Sequence, residues 1–165
     1  QENKVMLVTS DIPFIHKEAV EDFLHRCAEL ESDIYYPIIS REANEQVYPD
    51  TVRTYVTLKE GTFTGGNILL ATPEALIKSK EIMEQVFLMR KKPWQLARMF
   101  GFVFVVKFFL RQLSLGELEK RASKILGFTS TAIISPYPEI GTDVDKPSDL
   151  ELAERVMNVS GSKEA

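Results

Sequence analysis

The chain has 165 residues, 44% of them apolar, which suits one domain of roughly 100–200 residues with its own core and excludes disorder over most of the length. Its single cysteine, Cys27, excludes an internal disulfide and every multi-cysteine metal site. The net charge of −4 is unevenly spread: residues 78–124 hold eleven Lys/Arg against four Glu, a local balance of +7, between flanks of −7 and −4.

In chain order, Lys4–Thr9 is a short apolar run and reads as a buried strand. Ala19, Val20, Phe23, Leu24, Cys27 and Ala28 then recur at helical spacing, which predicts a helix from about His16 to Glu31 with Cys27 as a plain buried thiol. Asp33–Ile39, rich in aromatic and β-branched residues, reads as a second strand in which Pro37 marks an edge or a bulge. Residues 40–52 are polar and read as loop, and Arg53–Lys59 alternates as a third strand.

Gly61–Asn67 reads as a turn-rich loop delivering a short strand, Ile68–Ala71. Thr72-Pro73-Glu74 supplies an N-cap, a first-turn proline and an early acid, so a helix starts there and runs to about Met89. Arg90-Lys91-Lys92-Pro93 breaks it, and Trp94–Leu113 reads as a second helical region kinked near Gly101. Its apolar part, Met99–Val106, is too short to span a bilayer and reads as a buried helix, with an interfacial helix as the alternative. Ser114 caps a helix over Leu115–Leu126 that Gly127 stops. Thr129–Ser135 reads as a strand, Pro136–Gly141 as a turn, Thr142–Asp145 as the last strand, and Ser148–Met157 as the last helix before a frayed tail, 158–165.

Strands alternating with helices predict an α/β class with a mostly parallel sheet flanked by helices. Ligands of such sheets gather at the carboxyl ends of strands, and two acidic segments fall at such ends: Thr9-Ser10-Asp11-Ile12-Pro13 and Asp143-Val144-Asp145-Lys146-Pro147. Asp11 can ligate a metal there, or simply accept hydrogen bonds from the next loop. Asp143 and Asp145 alternate about Val144, so both face one side, a like-charge pairing that needs a cation or a base such as Lys146 between them. Asp149 reads as a helix cap.

In Thr64-Gly65-Gly66-Asn67 the glycines allow a close backbone approach and Asn67 offers a donor and an acceptor, to a ligand or to a plain turn. Arg53 and Lys59 are candidate phosphate anchors, ahead of the Arg90–Lys92 run, whose simplest role is solvation. His16 sits at a helix start and His25 on a helix among acids, and neither has a Ser-His-Asp or Cys-His arrangement to serve. Neither GxxxxGK[ST] nor GxGxxG occurs.

Taken in order, Val8–Phe14, Phe63–Asn67 and Asp143–Leu150 resemble the molybdenum-cofactor guanylyltransferase-like group of NTP transferases, within the glycosyltransferase-A-type fold. The resemblance covers nearly the whole chain and implies that 1–157 is the C-terminal portion of one nucleotidyltransferase domain whose N-terminal nucleotide-binding half is missing. It implies Mg²⁺ (or Mn²⁺) held by Asp11 and Asp145, an acceptor-side loop of Gly65, Gly66 and Asn67, and partners that are a nucleoside triphosphate and a phosphorylated small-molecule acceptor. A missing half also predicts self-association through an uncovered sheet edge. The compartment expected from one cysteine and no recognisable secretory leader is the cytoplasm. The rival expectation is a non-catalytic binding module that uses the basic segment 78–124 for RNA or an acidic partner.

Overall fold

The computed structural model describes residues 3–49, 51–89 and 101–161. A six-stranded sheet runs β1 (Val5–Val8), β5 (Ile68–Ala71), β2 (Ile34–Ser40), β4 (Gly61–Gly65), β3 (Val56–Leu58), with β6 (Ser130–Ser135) on the other side of β2. Helices α1 (Lys17–Ala28), α2 (Arg41–Val47), α3 (Pro73–Met89), α4 (Phe102–Phe109), α5 (Leu115–Leu126) and α6 (Pro147–Gly161) complete the described elements, with a 3₁₀ turn at Pro138–Gly141. None of the described helices is long and apolar enough to cross a membrane.

The mostly parallel sheet expected from the sequence is not what forms. Of the pairings among the described residues, β1/β5, β2/β5, β2/β4 and β3/β4 are antiparallel and β2/β6 alone is parallel. β1 and β2 run the same way, as the intervening helix requires, yet they do not touch: β5 enters between them, antiparallel to both. The misleading stretch is Gly61–Asn67, which reads as loop but supplies β4. β4 and β5 lie end to end along one edge of β2, with Ile34 and Tyr35 opposite Ala71 and Leu70, and Ile38 and Ile39 opposite Gly65 and Thr64. Between those two registers the β4–β5 side holds two extra residues, so Gly66-Asn67 bulges. Pro37, which donates no backbone hydrogen, sits opposite, and its carbonyl accepts from Gly66 N–H at 2.9 Å. A proline in a central strand is thereby accommodated.

α1 covers one sheet face. Ala19, Phe23 and Cys27, each four residues from the next, are buried with Tyr35, Ile68, Leu70, Ile133 and Ile140. Full burial of a side chain such as Phe23 contributes about 1.5–3 kcal/mol. Burial also pushes the Cys27 thiol up to about 12. The opposite face takes α3 and α5, through Ile34, Ala71 and Ala75 with Leu76, Leu126 and Phe128. At the β3/β4 end, Leu58, Phe63 and Leu113 pack with Phe104, Leu115 and Leu118.

Other local expectations fared unevenly. α5 has the predicted bounds, with a capping box between Ser114 and Glu117 and Gly127 in the left-handed region at φ 77°. The polar stretch after β2 holds a helix, α2, which Ser40 caps by accepting from Ala43 N–H at 3.1 Å. Thr142–Asp145 forms no strand, and α6 continues to Gly161 into the expected tail. α4, expected to be buried, contains no buried residue. The predicted helix break at Arg90–Pro93 and the start at Trp94 lie outside the described residues.

Candidate functional site

β1 delivers the chain to Asp11. Ile12 and Phe14 are buried on either side of Pro13, with Phe14 stacked on Tyr48 at 5.4 Å between ring centroids, which leaves Asp11 exposed at the surface. The second acidic segment is anchored the same way. Val144 packs against the cluster of Phe14, Tyr48 and Ala153, so its flanking acids turn away from that cluster although no strand forms. Val144 N–H donates to the Asp11 carbonyl at 2.9 Å. The result is one acidic cluster: carboxylate oxygens of Asp11, Asp143 and Asp145 lie within 4.8 Å of one another.

Asp143 and Asp145 border a polar cleft of about 350 Å³ that Arg53, Thr64, Gly65, Gly66 and Asn67 also line. The bulge is pinned from three sides. Gly66 bonds to β2 as above, Asn67 N–H donates to the Ile140 carbonyl at 2.8 Å, and the Asn67 carbonyl accepts from Thr9 N–H at 3.1 Å. That last bond ties the bulge to the segment that ends in Asp11. A Cβ on Gly66 would approach Pro37 Cγ at 2.8 Å and Ile140 Cγ2 at 2.9 Å, whereas one on Gly65 would meet the Tyr36 hydroxyl. Tyr36 and Gly65 also line a second, apolar cavity of about 350 Å³ bounded by Ile38, Phe63, Leu115 and Leu118, so this pair forms the wall between the two spaces.

Arg53 forms an ion pair with Asp143 and also donates to the Asp143 carbonyl at 3.3 Å, with little of either side chain exposed. Burial pulls the Arg53 guanidinium below its ordinary range, while Asp149 and Asp145 act the other way. Arg53 is thus the base that holds Asp143, a role for which the sequence offered Lys146 as one candidate. Asp149 accepts from Asp145 N–H at 3.2 Å and Lys146 N–H at 3.0 Å, fixing the acidic loop to the start of α6 in the capping role expected of it. Lys59 stands apart: it is exposed in the β3–β4 turn, its amide bonded to the Leu113 carbonyl at 2.9 Å, and it does not line the cleft. Tyr36 was missed because nothing in strand periodicity tells which face meets a cleft. A larger cavity, about 650 Å³, opens elsewhere, around Lys4, Cys27, Asp33 and Thr129, and holds none of the three acids.

A solved structure described as a hypothetical transferase, from Thermus thermophilus, shares this fold with a TM-score of 0.83 and 44% sequence identity, over 90% of this chain and 64% of its own length. This chain is thus similar to a protein described as a hypothetical transferase. It spans under two thirds of that protein. No protein-family model and no curated protein matches the chain.

A divalent cation fits the donor set. Three carboxylates offer hard oxygen ligands of the kind that Mg²⁺ or Mn²⁺ prefers, and two of them, Asp11 and Asp145, are solvent-exposed while Asp143 is committed to Arg53.

Proposed function

We propose that the protein is a metal-dependent nucleotidyltransferase, which moves a nucleoside monophosphate from an NTP to a phosphorylated acceptor and releases pyrophosphate. The observation that carries this reading is the convergence of Asp11 and Asp145, 134 positions apart in the sequence, in one acidic cluster beside the polar cleft that Asp145 lines. The transferase likeness supports it at the level of reaction class. The resemblance of the acidic and glycine motifs to the molybdenum-cofactor guanylyltransferase-like group supports it further, with guanylylation of that cofactor in the cytoplasm as the specific case. The proposal concerns the whole protein, since this chain spans 64% of the length of its transferase neighbour.

Asp11 and Asp145 would hold Mg²⁺ or Mn²⁺, which supplies charge neutralisation at the transferring phosphoryl group. The chain's own residues do the positioning. Asp143, held by Arg53, would keep the acidic loop in place. Gly65, Gly66 and Asn67 line the cleft and would form its acceptor side. The acceptor's own phosphate oxygen is the nucleophile, so no side-chain nucleophile is required, and alignment supplies much of the rate. β1 ends the sheet with its second edge unpaired among the described residues and Val5–Val8 all exposed, which supports the expected association through that edge.

The test is pyrophosphate release by the full-length protein with Mg²⁺, each of the four NTPs and a panel of phosphorylated acceptors. Asp11→Ala and Asp145→Ala should each remove most turnover and leave the fold intact. Near-normal turnover in both variants would sink the metal assignment.

A further inference from the structure

We propose that α4 and the groove beside it dock this protein onto an anionic lipid bilayer. α4 is apolar on the side a soluble helix keeps polar. Phe102 is 81% exposed, Val103 69%, Phe109 73% and Leu110 60%, with Val106 at 37%. These positions follow the spacing i, i+1, i+4, i+7, i+8, so they form one continuous stripe on the outward face. Phe104, on the other side, packs with Leu58, Phe63 and Leu113, so the helix is seated in the fold while presenting its stripe to solvent. An apolar surface of this kind marks an interaction site.

Charge selects the occupant. Between α4 and α5 lies a groove of about 380 Å³ in which Lys107, Lys120, Arg121 and Lys124 surround one acid, Glu117. Cations beside an exposed aromatic and aliphatic stripe are the combination that binds an anionic membrane surface, the stripe entering the acyl boundary and the cations meeting headgroup phosphates. A second copy bound face to face would set two such cationic grooves against each other, which is unfavourable, and a nucleic acid would leave the stripe in water. The eight residues of α4 span about 12 Å, so the helix lies on a bilayer and does not cross it. The inference does not depend on the reaction proposed above.

The experiment is flotation of the full-length protein with vesicles of phosphatidylcholine alone and of phosphatidylcholine mixed with phosphatidylglycerol, alongside its elution volume in size-exclusion chromatography. The protein should float with the mixed vesicles, less so as salt is raised, and not with the neutral ones. Phe102→Ser/Phe109→Ser and Lys120→Glu/Lys124→Glu change exposed residues and should keep the melting temperature, yet each should weaken vesicle binding by roughly tenfold or more. Absence of flotation, or equal flotation of both variants, overturns the proposal. So does a wild-type dimer that Phe102→Ser/Phe109→Ser dissociates with no vesicle binding, which makes the face a self-contact. Salt-sensitive capture of RNA, lost in Lys120→Glu/Lys124→Glu while vesicles are ignored, overturns it in favour of a nucleic-acid surface.

Discussion

The Val144 amide donates to the Asp11 carbonyl at 2.9 Å, and this bond joins the two acidic segments of the chain. Because Val144 is held among Phe14, Tyr48 and Ala153, the packing of one apolar residue determines where Asp143 and Asp145 stand relative to Asp11. Three carboxylates with oxygens within 4.8 Å repel one another, and Arg53 answers part of that repulsion at Asp143.

The remaining repulsion is what a cation relieves. Mg²⁺ or Mn²⁺ should raise the melting temperature of the wild-type protein, since a ligand that binds the folded state stabilises it by mass action. Asp11→Asn/Asp145→Asn should abolish that rise and, without metal, melt no lower than wild type. Calorimetry with and without Mn²⁺ checks both, and a metal-dependent rise in the double variant would remove these two residues from the site.

Arg53→Ala leaves Asp143 unpaired beside two further acids. Both partners are largely shielded, so the cost should lie between that of surface and buried pairs, about 1–3 kcal/mol. Asp143→Asn in the same background should recover part of it, because the repulsion falls with the charge. Urea unfolding of the two single variants and the double variant measures this coupling.

The two adjacent glycines should respond differently to alanine. At Gly66 the new methyl meets Pro37 and Ile140, both buried, and overpacking there should cost about 1–3 kcal/mol. At Gly65 it meets the far end of the Tyr36 side chain, which is 41% exposed, so the cost should be smaller than at Gly66 while the wall between cleft and apolar cavity shifts. Thermal melts separate the two cases, and equal destabilisation would count against this account of the bulge.

Glu117 carries a pH dependence of known sign. The Lys107 hydrogen bond, followed by the Ser114 amide, lowers its carboxyl from 4.5 to about 2. A lowered carboxyl contributes stability that is complete above 4.5 and is lost as pH falls toward about 2. The α5 capping box should therefore loosen in that window, and Lys107→Ala should move the loss to higher pH. Carboxyl chemical shifts followed through an acid titration give the midpoint directly, and a midpoint unmoved in Lys107→Ala would refute the pairing.

Replacing Leu7, 48% exposed on the end strand β1, by lysine should reduce association through that edge. Sedimentation velocity over a range of concentrations reads the change directly. A monomeric wild type, or an unchanged oligomer in the variant, would remove β1 as the contact.

Local features were legible because their causes are local. Ser114, Glu117 and Gly127 bound α5 within a few residues of its ends, and the spacing of Ala19, Phe23 and Cys27 is itself the buried stripe of α1. That Asp143 and Asp145 flank a packed Val144 was likewise readable, although the strand expected there does not form. Strand partnership was not, because alternation looks the same in parallel and antiparallel pairs. Only non-local hydrogen bonding placed β5 between β1 and β2 and turned Gly66-Asn67 into a bulge. The same holds for charge and exposure. That Asp143 is held by Arg53, 90 residues away, and that the stripe of Phe102 and Phe109 faces outward, depend on what the rest of the chain brings alongside, which tertiary packing alone decides.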